Sequence, residues 1–230
     1  MSKTQIDKAG ESLRTWAREL GTNPNAEPDP TAIEVLREYR QRFGLPLATA
    51  AIALSLLLED PEKPGARLKR EGAIIAKLLR YPHMRLSQMA DIAGARAVLS
   101  AQAEVDSLIA RMLEAWPTAQ LIDYVAKPKQ GGYRAKHLIV SEPLPLPVEI
   151  QLRTSAQNRW ADEVERWAGI LGYPLKDAQG PEDLVRYFEV AAELEAQREE
   201  KGVADEAVAD ALSDLRKKVE PYFERRPTGR

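Results

Sequence analysis

A short run near residue 150 groups three polar side chains in a way that suits a ligand site. In VEIQLRT, residues 148–154, apolar and polar residues alternate as they do in a half-buried β-strand. The alternation puts Glu149, Gln151 and Arg153 on one face, so an acid, an amide and a base follow one another along the strand. Such a face suits the floor of a polar site, although for an isolated strand the solvated outer face of a half-buried sheet is the commoner interpretation.

A second acidic residue, Asp91, precedes a run of small residues. The segment DIAGAR, residues 91–96, starts with Asp91, ends with Arg96 and is predicted to begin a strand. Small residues at the start of a strand leave room for a ligand against the backbone. Asp91 also fits the commoner role of a cap on a helix or a turn.

A basic loop is predicted between two β-type runs at residues 123–137. It contains Pro, two adjacent Gly, Lys129, Tyr133 and Arg134. Positive charge on a glycine-containing loop suits phosphates, and the Tyr133 ring offers a surface on which a base can stack. The alternative is a plain hairpin loop with solvated lysines, in which Tyr133 packs the loop against the sheet.

Cations also occur in a segment that precedes both acids. The run RLKREGAIIAKLLR, residues 67–80, has apolar residues at helical spacing and is predicted to be one helix. It carries Arg67, Lys69 and Lys77. A basic helix face is usually only solvated. Cations opposite two acids that can hold a metal are, however, the general layout of a nucleoside triphosphate site.

These segments predict an α/β or α+β fold, with a mixed sheet of about four or five strands flanked by helices. Periodicity and turn residues set the boundaries of its elements. The predicted strands are 95–99, 121–126, 136–141 and 148–153. The predicted helices are 11–20, 67–80, 103–116, 182–200 and 204–223, and residues 30–59 are predicted to be a helical region with Thr31 as N-cap.

Three regions are predicted: an N-terminal helical extension (1–62), a central domain (63–175) and C-terminal helices (176–230). The apolar stretch 45–58 is too short to span a bilayer and is interpreted as a buried helix. In the C-terminal region, Leu184 and Phe188 fall on one side of a helix, with Tyr187 and Ala191 beside them. That side covers either the chain's own core or a second subunit of a homo-oligomer.

Composition excludes several kinds of chemistry. The chain has no cysteine and two histidines, which rules out disulfides, thiolate zinc sites, cysteine nucleophiles and histidine-rich metallohydrolase sites. The net charge of -2 means that any nucleic-acid contact needs a local basic patch. The charged start, MSKTQIDKAG, lacks the apolar core of a secretory signal, so we expect a cytoplasmic protein without a membrane partner.

Four patterns, taken in order, resemble the synthetase domain of the RelA/SpoT family of alarmone synthetases. The resemblance spans about residues 45–170 and indicates a small, single-domain member. Lys136 departs from it, since the family usually has an apolar or small residue there. The patterns are R-x-K-x(7)-K at Arg67, Lys69 and Lys77, D-I-A-G-x-R at 91–96, D-Y-x-x-x-P-K-x-x-G-Y-R-x-x-H at 123–137, and V-E-I-Q-L-R-T at 148–154, followed by Asn158, Trp160 and Ala161.

The resemblance implies a nucleotidyltransferase-like fold and a role for each matching residue. Arg67 and Arg96 would sandwich the adenine of ATP, while two lysines would neutralise its phosphates. Asp91 and Glu149 would hold Mg²⁺, and Glu149 would also take the proton from the acceptor 3′-hydroxyl. The remaining roles are Lys69 and Lys77 on the ATP phosphates, Tyr133 stacked on the acceptor base, Lys129, Arg134 and His137 near acceptor or donor phosphates, and Gln151 and Arg153 on the floor.

The activity implied by the resemblance is a diphosphotransferase that moves the β,γ-pyrophosphate of ATP to the 3′-hydroxyl of GDP or GTP, giving (p)ppGpp, without hydrolase activity. A second possibility keeps the chemistry and changes the acceptor to the 3′ CCA end of tRNA, or to adenosine nucleotides giving (p)ppApp. The protein would then be a growth-blocking toxin with an antitoxin partner. A third possibility is a noncatalytic nucleotide-binding regulator. It predicts loss of the metal-binding acids, but Asp91 and Glu149 are both present.

A basic surface beside the pocket would favour tRNA as the acceptor. The candidate residues for such a surface are Arg70, Arg80, Arg85, Arg225, Arg226 and Arg230.

Overall fold

The computed structural model describes residues 1–58 and 64–224 of the chain. Within these ranges a five-stranded sheet is combined with α-helices, which confirms the predicted α/β class. The strands are β1 (Gly65–Leu68), β2 (Ala93–Leu99), β3 (Gln120–Asp123), β4 (Lys136–Val140) and β5 (Val148–Thr154). The helices are α1 (Lys3–Glu19), α2 (Pro30–Gln41), α3 (Gly44–Leu57), α4 (Glu71–Arg80), α5 (Gln102–Ala115), α6 (Ser155–Leu171), α7 (Glu182–Lys201) and α8 (Glu206–Phe223), with short 3₁₀ helices at Leu86–Gln88 and Leu175–Asp177.

The first strand of the sheet was not predicted. The strand order is β1-β2-β5-β4-β3, and β1 pairs antiparallel with β2. The prediction of one helix over 67–80 is therefore wrong at its start: Arg67 lies on β1, Lys69 follows the strand, and α4 begins at Glu71. The cause is tertiary, because the backbone N–H of Lys69 donates to the carbonyl of Ile92 at 2.8 Å and keeps this segment extended.

The predicted helical region 30–59 consists of two helices, α2 and α3, and its N-cap is not Thr31. Asp29 caps α2 instead, accepting the N–H of Thr31 at 2.9 Å. Pro30 occupies the first helical position, where its missing N–H costs no hydrogen bond. The predicted end of this region, at residue 59, lies outside the described residues.

The interpretation of residues 45–58 as a buried helix is wrong for one side of α3. Leu47 and Leu54 are buried, but Leu45, Ile52 and Leu56 are 75%, 62% and 81% exposed. An almost continuous apolar sequence has no polar residues to mark an outer face, so its pattern could not show which side faces solvent.

The chain divides into two compact units. The first comprises Met1–Ala97, Arg111–Gln120 and Leu138–Gln151, and the second comprises Val98–Ala110, Leu121–His137 and Leu152–Arg230. The predicted boundaries at 62 and 175 stay predictions. No helix in the described parts of the chain is long and apolar enough to cross a membrane.

The core of the first unit includes side chains of α1, α2 and α4. Leu13, Leu36 and Leu78 are fully buried there. Gly10 of α1 is required by close packing, since a Cβ atom at this position would lie 2.7 Å from Cβ of Leu86.

The core of the second unit is an aromatic-rich cluster that includes the C-terminal helices. Leu184 and Phe188 of α7 are buried in it together with Trp160, Trp167 and Tyr133. The apolar side of this C-terminal helix was predicted to cover either the chain's own core or a second subunit. Leu184 and Phe188 cover the chain's own core. Tyr187 is only partly buried against the cluster.

Candidate active site

Asp91 in the first unit lies between two lysines. Nζ of Lys69 is 3.1 Å from Oδ2 and Nζ of Lys77 is 2.8 Å from Oδ1. The side chains are 17% exposed for Asp91, 27% for Lys69 and 24% for Lys77, so these ion pairs are better shielded from solvent than surface pairs. The side chain of Asp91 therefore engages two cations, rather than serving only as a local cap.

The residues around Asp91 fit a magnesium ion held jointly with a ligand's phosphates. Oδ1 of Asp91 is buried, and Nζ of Lys77 is its ion-pair partner at 2.8 Å. Carboxylate oxygens are also common ligands of Mg²⁺. The described residues include no cluster of three or more His, Cys, Asp or Glu that would hold a metal alone. Mg²⁺ commonly binds through one or two carboxylates plus substrate phosphates, which matches this donor set.

Arg67 and Arg96 lie on neighbouring strands with glycines opposite them. In the antiparallel pairing, Arg67 faces Gly94 and Arg96 faces Gly65. Paired residues point to the same side of a sheet, so both arginines share one face as diagonal neighbours, which are roughly 7–8 Å apart. Neither arginine has a side chain directly opposite it, and a spacing of this size suits one planar ring between two guanidinium groups.

Strand β5 confirms the predicted alternation up to residue 152. Val148, Ile150 and Leu152 are fully buried. Glu149 and Gln151 lie in the first unit and are partly exposed, and Nε2 of Gln151 donates to Oε2 of Glu149 at 2.6 Å. The amide therefore orients one oxygen of the carboxylate.

In the second unit, the Tyr133 hydroxyl is the centre of a buried hydrogen-bond network. It lies 2.7 Å from Nε2 of His137, and the guanidinium of Arg153 donates to it at 2.9 Å. Arg153 also reaches Oδ1 of Asn158 at 3.4 Å. Tyr133, His137 and Arg153 are 5%, 5% and 3% exposed. Arg153 is therefore held in a buried network and is not exposed to solvent.

The basic loop places Lys129 beside two aromatic rings. Its Nζ lies 4.2 Å from the centre of the Tyr124 ring and 5.4 Å from that of Tyr133. The side chain of Lys129 is otherwise exposed, whereas Arg134 is partly buried. Nε of Arg134 is buried, and no described residue accepts a hydrogen bond from it.

The loop is anchored by Lys136, the residue that departs from the family pattern. Its Nζ lies 2.6 Å from Oδ1 of Asp106 on α5 and 3.1 Å from Oδ2 of Asp123 at the end of β3. Burial acts to lower the pKa of Lys136, but its bonds to the two carboxylates outweigh burial and raise that pKa. Burial acts to raise the pKa of Asp123, but hydrogen bonds from the backbone N–H of Ala126 and from Lys136 lower it below its ordinary value.

Two neighbours of Tyr133 were not predicted as site residues. Tyr124 makes an edge-to-face contact with Tyr133, with ring centres 5.9 Å apart. Lys176, in the connection between α6 and α7, places its Nζ 5.9 Å from the centre of the Tyr133 ring. Tyr124 belongs to the family pattern at 123–137, whereas Lys176 lies outside all four patterns.

The predicted site residues thus fall into two groups, one within each unit. The first-unit group is Arg67, Lys69, Lys77, Asp91, Arg96, Glu149 and Gln151, and the second-unit group is Lys129, Tyr133, Arg134, His137 and Arg153.

The candidate tRNA-binding arginines are only partly within the described residues. Arg70, Arg80 and Arg85 are exposed, and Nε of Arg85 lies 4.0 Å from Oδ2 of Asp7. Arg225, Arg226 and Arg230 lie outside the described residues.

The fold is that of the small alarmone synthetases. A GTP pyrophosphokinase family protein from Streptococcus pneumoniae superposes with a TM-score of 0.56 at 22% identity, over 78% of this chain and 95% of that one. The small alarmone synthetase 2 of Bacillus subtilis gives a TM-score of 0.55 at 21% identity, over 80% and 97%. At these identities the comparison defines the fold alone.

Sequence comparison identifies the family. Residues 66–168 match the family model described as a region found in RelA / SpoT proteins. GTP pyrophosphokinase YjbM of Bacillus subtilis is 32% identical over 146 residues, which cover 53% of this chain and 69% of YjbM. The chain belongs to the RelA/SpoT family.

Other relatives are longer than this chain. An uncharacterised protein of Mycobacterium tuberculosis is 33% identical over 150 residues, which cover 63% of this chain and 52% of that protein. The chain therefore spans about half the length of the mycobacterial relatives that it matches.

Proposed function

We propose that this protein is an ATP-dependent pyrophosphokinase that transfers the β,γ-pyrophosphate of ATP to the ribose 3′-hydroxyl of GDP or GTP. The observation that carries the proposal is the position of Asp91 between Lys69 and Lys77, at 3.1 and 2.8 Å. A carboxylate and two cations brought together from separate segments suit a metal-bound polyphosphate. The similarity to GTP pyrophosphokinase YjbM supports the same activity.

The first unit binds ATP in this proposal. Arg67 and Arg96 stack on the two faces of adenine, and Lys69 and Lys77 exchange their contacts with Asp91 for the phosphates. The arrangement of the two arginines opposite glycines supports the stacking role. When bound to Asp91 and Glu149, Mg²⁺ neutralises phosphate charge and polarises the transferred group.

The transfer forms one bond and breaks one. The acceptor 3′-oxygen attacks the β-phosphorus of ATP, the bond from that phosphorus to the α–β bridging oxygen breaks, and AMP leaves. Glu149 receives the proton of the 3′-hydroxyl. The bond from Gln151 to Glu149 Oε2, at 2.6 Å, supports this role because it holds the carboxylate in one orientation.

The second unit binds the acceptor. Tyr133 stacks on the base, while Lys129 and Arg134 meet the phosphates. His137 and Arg153 are buried against the Tyr133 hydroxyl, which supports a role for both in holding the ring rather than in direct contact with phosphate.

Product analysis tests the proposal and identifies the acceptor. Purified protein is incubated with ATP labelled in the γ-phosphate and, in separate reactions, GDP, GTP, ADP or deacylated tRNA, and products are resolved by mass spectrometry. We expect a 3′-pyrophosphorylated guanosine nucleotide and an equal amount of AMP. Label in tRNA or in an adenosine product would assign the protein to the toxin-like alternative.

Asp91→Asn is the matched control, because it keeps the size of the side chain and removes its charge. The variant should form no product with any acceptor. If the wild-type protein also forms none with all four acceptors, the proposed activity is wrong.

A further inference from the structure

The proposed acceptor platform is covered in this structure. The Tyr133 side chain is 5% exposed and belongs to the buried cluster of the second unit. A ring on which a base stacks must present one face to that base. Something beside the ring must therefore move before the acceptor binds.

One side of the basic loop is fixed on α7. A Cβ atom at Gly132 would lie 2.7 Å from Cβ of Ala192 and 3.1 Å from Cα of Glu189, so loop and helix are in close contact. The N–H of Gly131 also donates to Oε1 of Glu189 at 3.2 Å. Movement on this side would break the packing of a 20-residue helix.

The other side is covered by residues 172–181, which connect α6 to α7 and are called the α6–α7 segment. Lys176 of this segment lies over the Tyr133 ring, with Nζ 5.9 Å from the ring centre. A Cβ atom at Gly131 would lie 3.4 Å from the carbonyl oxygen of Leu175 and 3.6 Å from Cβ of Ala178. The segment thus contacts both the ring and the loop that carries it.

The α6–α7 segment is bounded by glycines. Within it, Leu175 is buried, at 3% exposed, and Lys176 pairs with Glu165 of α6. Gly172 and Gly180 have φ of 75° and 156°, values that glycine adopts readily. Glycines at both ends allow the backbone to turn without disturbing α6 or α7.

We infer that the α6–α7 segment is a gate over the acceptor platform: it covers the Tyr133 ring in the free protein and leaves it when the acceptor nucleotide binds. The inference rests on the proposed function for its ligand. It explains why a stacking residue is buried, and it makes the apparent acceptor affinity depend on the fraction of open protein.

A reversible disulfide tests the gate directly. Cβ atoms at residues 131 and 178 would lie 3.6 Å apart, within the range found in disulfides, and the chain has no cysteine of its own. The oxidised form of the variant Gly131→Cys/Ala178→Cys is compared with its reduced form. Any backbone strain at the two positions is present in both forms. Locking should raise the Kd for GDP by about tenfold or more and leave the Kd for an ATP analogue unchanged. Reduction should restore GDP binding.

Loosening the segment gives the opposite effect. Leu175→Ala removes its buried anchor and should lower the Kd for GDP several-fold, because more of the protein is open. Leu184→Ala is the matched control: it truncates a buried leucine of the same cluster on α7, and it should not lower this Kd.

These outcomes separate the gate from the activity. A locked protein with wild-type GDP affinity overturns the gate, as does a Leu175→Ala protein with weaker GDP binding, which would indicate a purely structural segment. Calorimetry with GDP measures binding without turnover. A wild-type protein that binds GDP but transfers nothing refutes the proposed activity. The gate can still be tested by the same binding measurements.

Discussion

Glu149 and its neighbour Gln151 make the first prediction at the scale of single residues. Glu149→Gln should abolish transfer and preserve the fold, because it removes the charge that would hold Mg²⁺ while keeping the size of the side chain. A glutamine at 149 can still accept the hydrogen bond that Gln151 donates at 2.6 Å. Turnover is measured with ATP and GDP, alongside thermal unfolding. Near-wild-type turnover in a folded variant would remove Glu149 from the site.

Tyr133 separates the role of a ring from that of a hydroxyl. From sequence alone, Tyr133→Phe is a mild change, since stacking uses the ring face. In the structure the hydroxyl is hydrogen-bonded to His137 and Arg153, which are both buried. Its loss should therefore lower the free energy of unfolding by about 1–3 kcal/mol. Urea unfolding measures this difference, and an unchanged midpoint would show that the network adds no stability.

Tyr133→Ala is the companion variant. Loss of the stacking ring should raise the acceptor KM roughly ten- to a hundredfold and change the ATP KM much less. Equal increases in both constants would indicate that the tyrosine only packs the loop.

At the scale of secondary-structure elements, one lysine ties α5 to the ends of β3 and β4. Asp123 pairs with Lys136 and accepts two backbone N–H groups of its own turn. Asp123→Asn keeps an oxygen for those N–H groups and removes the charge. Because the side chain is 30% exposed, solvent screens the pair, and the expected loss of stability at neutral pH is about 1 kcal/mol.

The pH dependence of this loss has a defined direction. The pKa of Asp123 is lowered in the folded protein, so its stabilising charge is present above the ordinary value and is lost as the pH falls toward the folded pKa. The stability difference between wild type and Asp123→Asn should therefore shrink in urea titrations below about pH 4. A difference that stays constant throughout the acid titration would show that charge is not its cause. Asp106→Asn, at the more exposed partner of the same lysine, should have the smaller effect.

At the scale of the whole molecule, the two groups of site residues predict a separation of kinetic effects. Lys77 belongs to the first unit and Lys129 to the second. Lys77→Met should raise the KM for ATP by about ten- to a hundredfold, because one charged hydrogen bond is lost. It should leave the KM for the acceptor unchanged. Lys129→Met should do the reverse. Both constants are measured at saturating Mg²⁺, and an ATP defect in Lys129→Met would contradict the assignment of that loop to the acceptor.

Much of the fold follows from local patterns. β5 was predicted because its core face is apolar at every second residue, and Val148, Ile150 and Leu152 are fully buried. α5 and α7 were predicted because apolar residues recur with the period of a helix. β1 was missed because its four residues have no such pattern, and only pairing with β2 makes them a strand.

The sequence by itself determined the α/β class, the family and the residues available for chemistry, because these depend on residue types and on their spacing along the chain. Only the tertiary structure decided how these residues are used. It brings Lys69, Lys77 and Asp91 together from separate segments, it buries Arg153 although strand alternation predicted a polar face, and it places Lys176 over Tyr133. The physical reason is that a side chain's partners are fixed by contacts between segments far apart in sequence, and no local periodicity records those contacts.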